Sequence, residues 1–319
     1  MDRLTGMQVF VRVVERGSFS AVARELGSTQ GAVSKQVAAL ERALGARLLS
    51  RTTRSLALTD EGERYFERAR RLVAEVEEAE AELRDGALHL KGWLRVAASV
   101  AFGRLMIMPL LPEFLRLHPD VRVDLRLDDG FVDLVEEGVD VAVRIGELAD
   151  STLVARRVGT TVRRVYAAPE YLSRCVGAAG SPREPHDLLA HECIVYTGLA
   201  TRHHWSFTAG EGASQPAGTQ QTVSVTGRLQ CNNSEVVREA VLSGLGVAHT
   251  PCWLFGAEAL NHQVIELLPG WHSPDLPIHL VSPAQRRQSA KVRAFGDHVA
   301  ARLDLPRQFA PAFPAYDAG

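Results

Sequence analysis

A chain of 319 residues is too long for one small module, and its length favours two or three domains. With 46% hydrophobic and 23% charged residues and a net charge of -2, it has the make-up of an ordinary globular protein rather than a disordered or fibrous one. No apolar run approaches the ~20 residues of a membrane helix, and MDRLTGMQVF lacks the basic start and apolar run of a secretory signal, so a cytoplasmic protein without membrane contact is expected.

The charge is unevenly spread. Residues 1–58 carry nine Lys/Arg against four Asp/Glu, leaving 27 basic and 34 acidic residues for the remainder. A basic head on an acidic body suits a head that meets a polyanion. From Leu4 to Arg16, Met7, Phe10, Val11 and Val14 fall on one face of a helix that Gly17 stops. Ser18 is placed to cap a short second helix, FSAVARELG, and Gly27 to end it. Ser28 is the expected cap of a third helix, in which Val33, Val37, Leu40 and Leu44 form a core-facing stripe and Gly45 closes the run.

On a helical wheel the opposite side holds Gly31, Lys35, Ala38 and Arg42, with Ser34 at the flank and Thr29 and Gln30 in the first turn. A short helix, a tight turn and a helix with a small, polar, basic outer face make a helix-turn-helix, whose second helix enters the DNA major groove. Gln pairs with adenine edges, Lys with guanine O6/N7, and Ser and Thr with several groups. Two short alternating runs, Ala46–Ser50 and Ser55–Thr59, flank RTTR and read as a two-stranded wing with a basic tip. There Arg51, Thr52, Thr53 and Arg54 are the candidates for phosphate or minor-groove contact.

These residues form a known pattern. RELGSTQGAVSKQVAALERALGARLLSRTTRSLALTDEG resembles the N-terminal winged helix-turn-helix of LysR-type transcriptional regulators nearly position by position. The Q-x-A-V-S-[RK]-Q core, the L-E-x-x-L-G-x-x-L helix end, the R-T-T-R wing and L-T-x-x-G all carry the likeness. Gly31 stands where the family commonly has Pro or Ser, and Lys35 where it often has Arg. The resemblance implies double-stranded promoter DNA as partner, read through Ser28, Thr29, Gln30, Gly31, Ser34, Lys35 and the wing residues.

Thr59-Asp60-Glu61 starts a further helix with acids at its positive end. In it Tyr65, Ala69, Leu72, Val76, Ala79 and Leu83 form an a/d seam that predicts pairing with a second copy of the chain. The resemblance implies the same dimerising linker helix, over residues 59–91. From Trp93 onward, strand and helix patterns alternate: WLRVAA, RLMIMPLLPEFLRLH, VRVDLRL, FVDLVEEG and VDVAVRIG. They predict a largely parallel β-α-β-α-β sheet. RRVYAAP, HECIVYTG, HHWSFT, TVSVTG, NSEVVREAVLSGLG and GVAH supply a second α/β unit, and PIHLVSP with KVRAFGDHVAARL returns to the first.

The fold class expected is therefore multi-domain α/β. A winged helix-turn-helix (1–58) and a linker helix (59–91) precede a bilobed body (92–305) that resembles the periplasmic-binding-protein-like effector domain of LysR-type regulators. Its first lobe takes 92–164 and 266–305, its second 165–265, and a Pro/Ala-rich tail over 306–319 is expected to be frayed.

Ligands of doubly wound sheets bind outside the carboxyl ends of the strands. That rule selects Ser99, Val100 and Phe102 after the first strand, Asp128 after the second, and Arg144 and Gly146 after the third. On the facing lobe it selects Tyr196, Asn232, Asn233 and His249. Ser99 and Asn233 sit where helix N-termini can hold a carboxylate, and Phe102 can pack on an apolar part, so a small carboxylate or aromatic effector is expected. No cofactor or metal is expected: G-x-S-x-G, H-E-x-x-H, GxxxxGK[ST] and a helix-opening GxGxxG are all missing, and His186, His191 and Cys193 match no standard zinc spacing. Cys175, Cys193, Cys231 and Cys252 are scattered, which fits reduced thiols. The expectation is a dimeric or tetrameric regulator, not an enzyme, with RNA polymerase as a further partner. The rival is a bilobed binding protein or enzyme whose head serves only assembly.

Overall fold

The computed structural model describes residues 2–52, 55–85, 90–130, 133–148, 152–175, 180–284, 286 and 289–303. Two compact units divide the chain, Met1–Trp93 and Leu94–Gly319.

In the first unit, α1 (Arg3–Arg16), α2 (Phe19–Glu25) and α3 (Gln30–Leu44) precede β1 (Leu49–Thr52), β2 (Ser55–Leu58) and the long α4 (Asp60–Asp85). Gly17 and Gly45 end α1 and α3 in the left-handed conformation that glycine adopts without strain. Ser18 caps α2 through the Ala21 amide. The cap of α3 is Thr29, whose hydroxyl accepts the Ala32 N–H at 3.2 Å; the expected cap, Ser28, lies one residue outside and donates its amide to the Ala23 carbonyl. Phe10, Val13, Val22, Val33, Val37, Leu40 and Leu48 make the closed core of this unit.

The first strand of the wing lies farther along the chain than expected, at Leu49–Thr52 instead of Ala46–Ser50. Pairing runs from Leu49↔Leu58 to Thr52↔Ser55, so the backbone of Arg51 and Thr52 belongs to β1. Thr53 and Arg54 lie outside the described residues. Glu41 explains the L-E of the helix end: its carboxylate accepts the amides of Leu48 and Leu49 at 2.8 and 3.1 Å and ties α3 to the wing. Thr59 does the same for α4, bonding the Arg47 carbonyl and accepting the Gly62 amide. Gly62 itself is forced, since a Cβ there would overlap the Leu48 carbonyl.

The predicted seam of α4 is shared out. Ala69 and Val73 are buried in the unit's own core, and Tyr65 packs with its ring centroid 5.7 Å from that of Phe10. Leu72 alone among the described seam side chains is strongly exposed, at 50%. The side chains of Ala79 and Leu83 lie outside the described residues.

In the second unit β3 (Gly92–Ala98) begins the first sheet and a helical run from Val100 to Leu117 follows. That run starts at α5 (Val100–Phe102), turns π-helical over Gly103–Ile107 and 3-10 over Met108–Leu110, and ends as α6 (Leu111–Leu117). Pro109 and Pro112 lack the amide an α-helix needs, and the change of winding accommodates them. Then come β4 (Val121–Leu127), β5 (Val141–Ile145), β6 (Val154–Thr161), β7 (Arg163–Ala167), α7 (Pro169–Cys175), β8 (Cys193–Tyr196), β9 (His204–Ala209), β10 (Gln220–Ser224) and β11 (Gln230–Cys231). The chain closes with α8 (Ser234–Leu242), β12 (Val247–Pro251), α9 (Gly256–Leu260), β13 (Ile265–Leu267), β14 (Trp271–His272), β15 (Leu276–Ser282) and α10 (Ala290–Ala300). The helix expected at FVDLVEEG is only a turn over 133–138: Asp133 bonds the amides of Val135 and Glu136 with its side chain, and Gly138 breaks the run with φ 63°.

The first sheet has the order β4-β3-β5-β15-β6 and the second β11-β8-β12-β7-β13. Both are mixed rather than largely parallel: β3 runs parallel to β5, and β8 to β11 and β12, whereas β15 and β7 are antiparallel to their neighbours. A third, antiparallel sheet, β10-β9-β14, lies in the second lobe. The chain changes sheets at Val162, between β6 and β7, and returns at Leu276. Arg163, Arg164, Glu266, Leu267, Trp271 and His272 therefore pair within the second lobe and not, as expected, within the first.

Candidate functional site

Two surfaces concentrate the expected residues. On the head, Ser28, Thr29, Gln30, Gly31, Lys35 and Arg42 are exposed and Ser34 and Ala38 half-buried, while Val33, Val37 and Leu40 on the other side of α3 are at most 2% exposed. The helix is thus held by one face and offers the other. Nothing lies within 4 Å of a Cβ placed on Gly31, so no internal packing demands glycine there. The side chains of Arg51 and Thr52 are outside the described set.

In the body the expected residues fall into three places. One group meets between the lobes. Asp129, one residue beyond the expected Asp128, accepts the Val100 amide at 3.0 Å with one carboxylate oxygen and the Asn233 side-chain NH2 at 2.6 Å with the other. Asn233 also caps α8, its Oδ1 accepting the Val236 amide at 3.1 Å. Burial holds the Asp129 carboxyl above the usual carboxylate range, with Asp128 and Glu235 adding to it against the two hydrogen bonds. Tyr196 stands beside this pair, its phenol raised first by burial and then by the Asp129 charge. Ser99 marks the start of the helical run but makes no capping bond with its side chain. Phe102 is buried edge-on against Trp253 at 5.1 Å, and Arg104 makes two 2.8 Å bonds to Glu235.

A second group lines a cavity of about 120 Å³ at the carboxyl ends of β3, β4 and β5, where Asp128 and Arg144 are joined by Arg126, Glu137 and Ala98. Desolvation pulls the Arg144 guanidinium below its usual value, and the Asp128 charge opposes that. The Asp128 side chain also accepts the Gly130 amide at 2.6 Å.

The remaining expectations separate from both. His249 is no cleft residue: it is 6% exposed, sandwiched by Trp205 and Phe207 at 5.3 and 5.1 Å, and its Nε2 lies 2.5 Å from the Ser273 hydroxyl. Strand alternation turns it into the second lobe's interior, and burial holds its pKa well below the usual range. Gly146 is a turn residue, with φ 102° and its amide on the Pro277 carbonyl. Asn232 is exposed. His191 pairs with the Tyr171 hydroxyl at 3.2 Å. Burial pushes the Cys193 thiol up to about 12, and Cys231 aligns with Tyr196, three residues along the neighbouring strand from Cys193 and so ~10 Å away.

A winged helix-turn-helix with an open recognition face, in one chain with a bilobed α/β unit whose strand ends enclose polar side chains, defines a DNA-binding protein that carries its own binding domain. The comparisons with known proteins give the family. The profile of the bacterial regulatory helix-turn-helix protein, lysR family, matches residues 4–63, and that of the LysR substrate binding domain matches 87–304. The transcriptional regulator PtxR of Pseudomonas aeruginosa is 37% identical over 294 residues, 92% of this chain and 90% of that protein. The structure of CrgA, a LysR-type transcriptional regulator from Neisseria meningitidis, matches with a TM-score of 0.59 and 32% identity over 94% of this chain and 98% of CrgA. AphB, a virulence activator of Vibrio cholerae, gives 0.55 and 27% over 93% and 98%. The chain belongs to the LysR family of transcriptional regulators, proteins that bind DNA and small-molecule effectors and form oligomers rather than a class of enzymes. Among the described residues no helix is long and apolar enough to cross a membrane.

Proposed function

We propose that the head reads a promoter palindrome with α3 in the major groove. Thr29, Gln30, Gly31, Ser34 and Lys35 face base edges there, Ser28 and Arg42 lie beside the backbone, and the wing residues Arg51, Thr52, Thr53 and Arg54 meet phosphates. The observation that carries this is the division of α3 into a buried Val33/Val37/Leu40 face and an exposed small, polar and basic one. Two heads are brought to one palindrome by pairing through α4 from Leu72 onward, as a dimer or tetramer, and the protein works in the cytoplasm beside its DNA with RNA polymerase as a further partner. In the body the effector enters between the lobes, among Ser99, Val100, Asn233 and Tyr196, and next to the cavity of Arg126, Asp128 and Arg144. The two guanidinium groups favour a small carboxylate, whereas Phe102, 1% exposed against Trp253, is closed to the effector. The effector acts only through its unequal affinity for two states of the assembly.

Selecting genomic fragments on the full-length protein and footprinting them tests the first part. Two protected half-sites about 10 bp apart, or a multiple of that, are expected; recovery of no preferred sequence would remove the reading. For the second part, a thermal-shift series of small carboxylates and aromatic acids should raise the melting temperature of the body.

A further inference from the structure

The two lobes of the body touch at one end in two chemically different ways. Close to the chain crossover, Phe102 and Trp253 form a dry contact, 1% and 4% exposed. Trp253 follows Cys252, whose amide bonds the Val162 carbonyl and whose Sγ lies 3.7 Å from the Thr161 hydroxyl, so this contact is anchored to the segment on which the lobes turn. Farther out the contacts are polar: Asp129 to Asn233, and Arg104 to Glu235. Arg104 is 49% exposed and Asn233 half-buried, so water competes for these bonds as it cannot for the aromatic pair. An apolar contact at the hinge and a polar one at the rim is an arrangement in which the rim parts first.

We propose that Asp129 is the latch of this rim. Each of its oxygens is engaged, one on the Val100 amide of its own lobe and one on the Asn233 side-chain NH2 of the other, and the single side-chain oxygen of Asn233 is committed to the α8 cap. Of the two N–H donors on the Asn233 side chain, an entering effector gains the one that crosses to the other lobe only by displacing Asp129. The latch thereby sets how much binding energy the effector must supply to part the lobes. This rests on the reading of the cleft as the effector site, but the latch itself is tested without effector or DNA.

Three variants of the full-length chain suffice, followed by amide hydrogen exchange of segments 99–104 and 230–238. Asn233→Asp keeps the capping oxygen and sets a carboxylate against Asp129, so exchange in both segments should rise about tenfold or more. Asp129→Asn combined with Asn233→Asp exchanges donor and acceptor and should return exchange to near the wild-type rate. Arg104→Gln, on the exposed rim, should give a smaller rise in the same two segments and serves if the first variant does not fold. Unchanged exchange in Asn233→Asp, no rescue in the paired exchange, or no rise in Arg104→Gln each overturn the latch. If these results hold and no small molecule alters the exchange, the effector reading fails and the latch stands.

Discussion

The head and the body solve opposite problems. In the head, the residues offered to a partner come from one helix and the wing just after it, all within residues 28–54, and the fold's task is to bury the other side of that helix. In the body, the residues that meet come from segments more than 100 positions apart, Val100 and Asp129 on one lobe and Asn233 on the other, and the chain itself satisfies their hydrogen bonds. An open recognition face waits for its ligand, whereas the rim between the lobes must first give something up. The difference teaches that affinity at the head is additive contact, while response at the body is exchange of one set of bonds for another.

The comparison can be broken at several points. The largest effect is expected at Gly62: in Gly62→Ala the new methyl overlaps the Leu48 carbonyl, so the head should lose about 3 kcal/mol. Calorimetry should show its transition lowered and that of the body unmoved; coincident lowering of both would mean that the two units do not unfold independently. Next is the acid response of the body. Burial lowers the His249 pKa in the folded state, so the unfolded chain binds a proton that the folded one refuses. Stability from this group is present above the unfolded pKa, about 6.5, and is lost as pH falls below it, by about 1.4 kcal/mol per pH unit. His249→Phe should flatten the fall in melting temperature between pH 6.5 and 5; an undiminished slope would place the acid sensitivity elsewhere. The smallest effect is at Gly31. Gly31→Ala should stabilise α3 by up to about 1 kcal/mol, since nothing crowds the added methyl. A binding-site selection should nonetheless show a changed base preference, and an unchanged one would deny Gly31 any part in reading DNA.

Periodicity makes the helices of the head legible, because a helix repeats every 3.6 residues and its two faces separate on paper. The cap of α3 lies one residue from the expected Ser28 because Ser28 and Thr29 are chemically alike, and only the backbone decides between them. In the body the strands were legible, but strand direction was not, since a run such as PIHLVSP reads the same parallel or antiparallel. The residue that reaches across is Asp129 and not the expected Asp128, and the sequence carries a signal for it. In Asp-Asp-Gly the aspartate two before glycine is the one that bends back onto the glycine amide, as Asp128 does, which leaves the second free to reach across. For His249 no local signal distinguishes a strand-end ligand from a core histidine; its partners Trp205, Phe207 and Ser273 are distant in sequence.

The central claim is that the exposed face of α3 binds DNA, and the salt dependence of DNA affinity tests it most directly. Fluorescence anisotropy of the full-length protein and its Lys35→Ala variant on a selected operator, over a salt series, should show about tenfold weaker binding and a log–log slope shallower by about 1 for the variant. Equal affinity and equal slope would contradict the account.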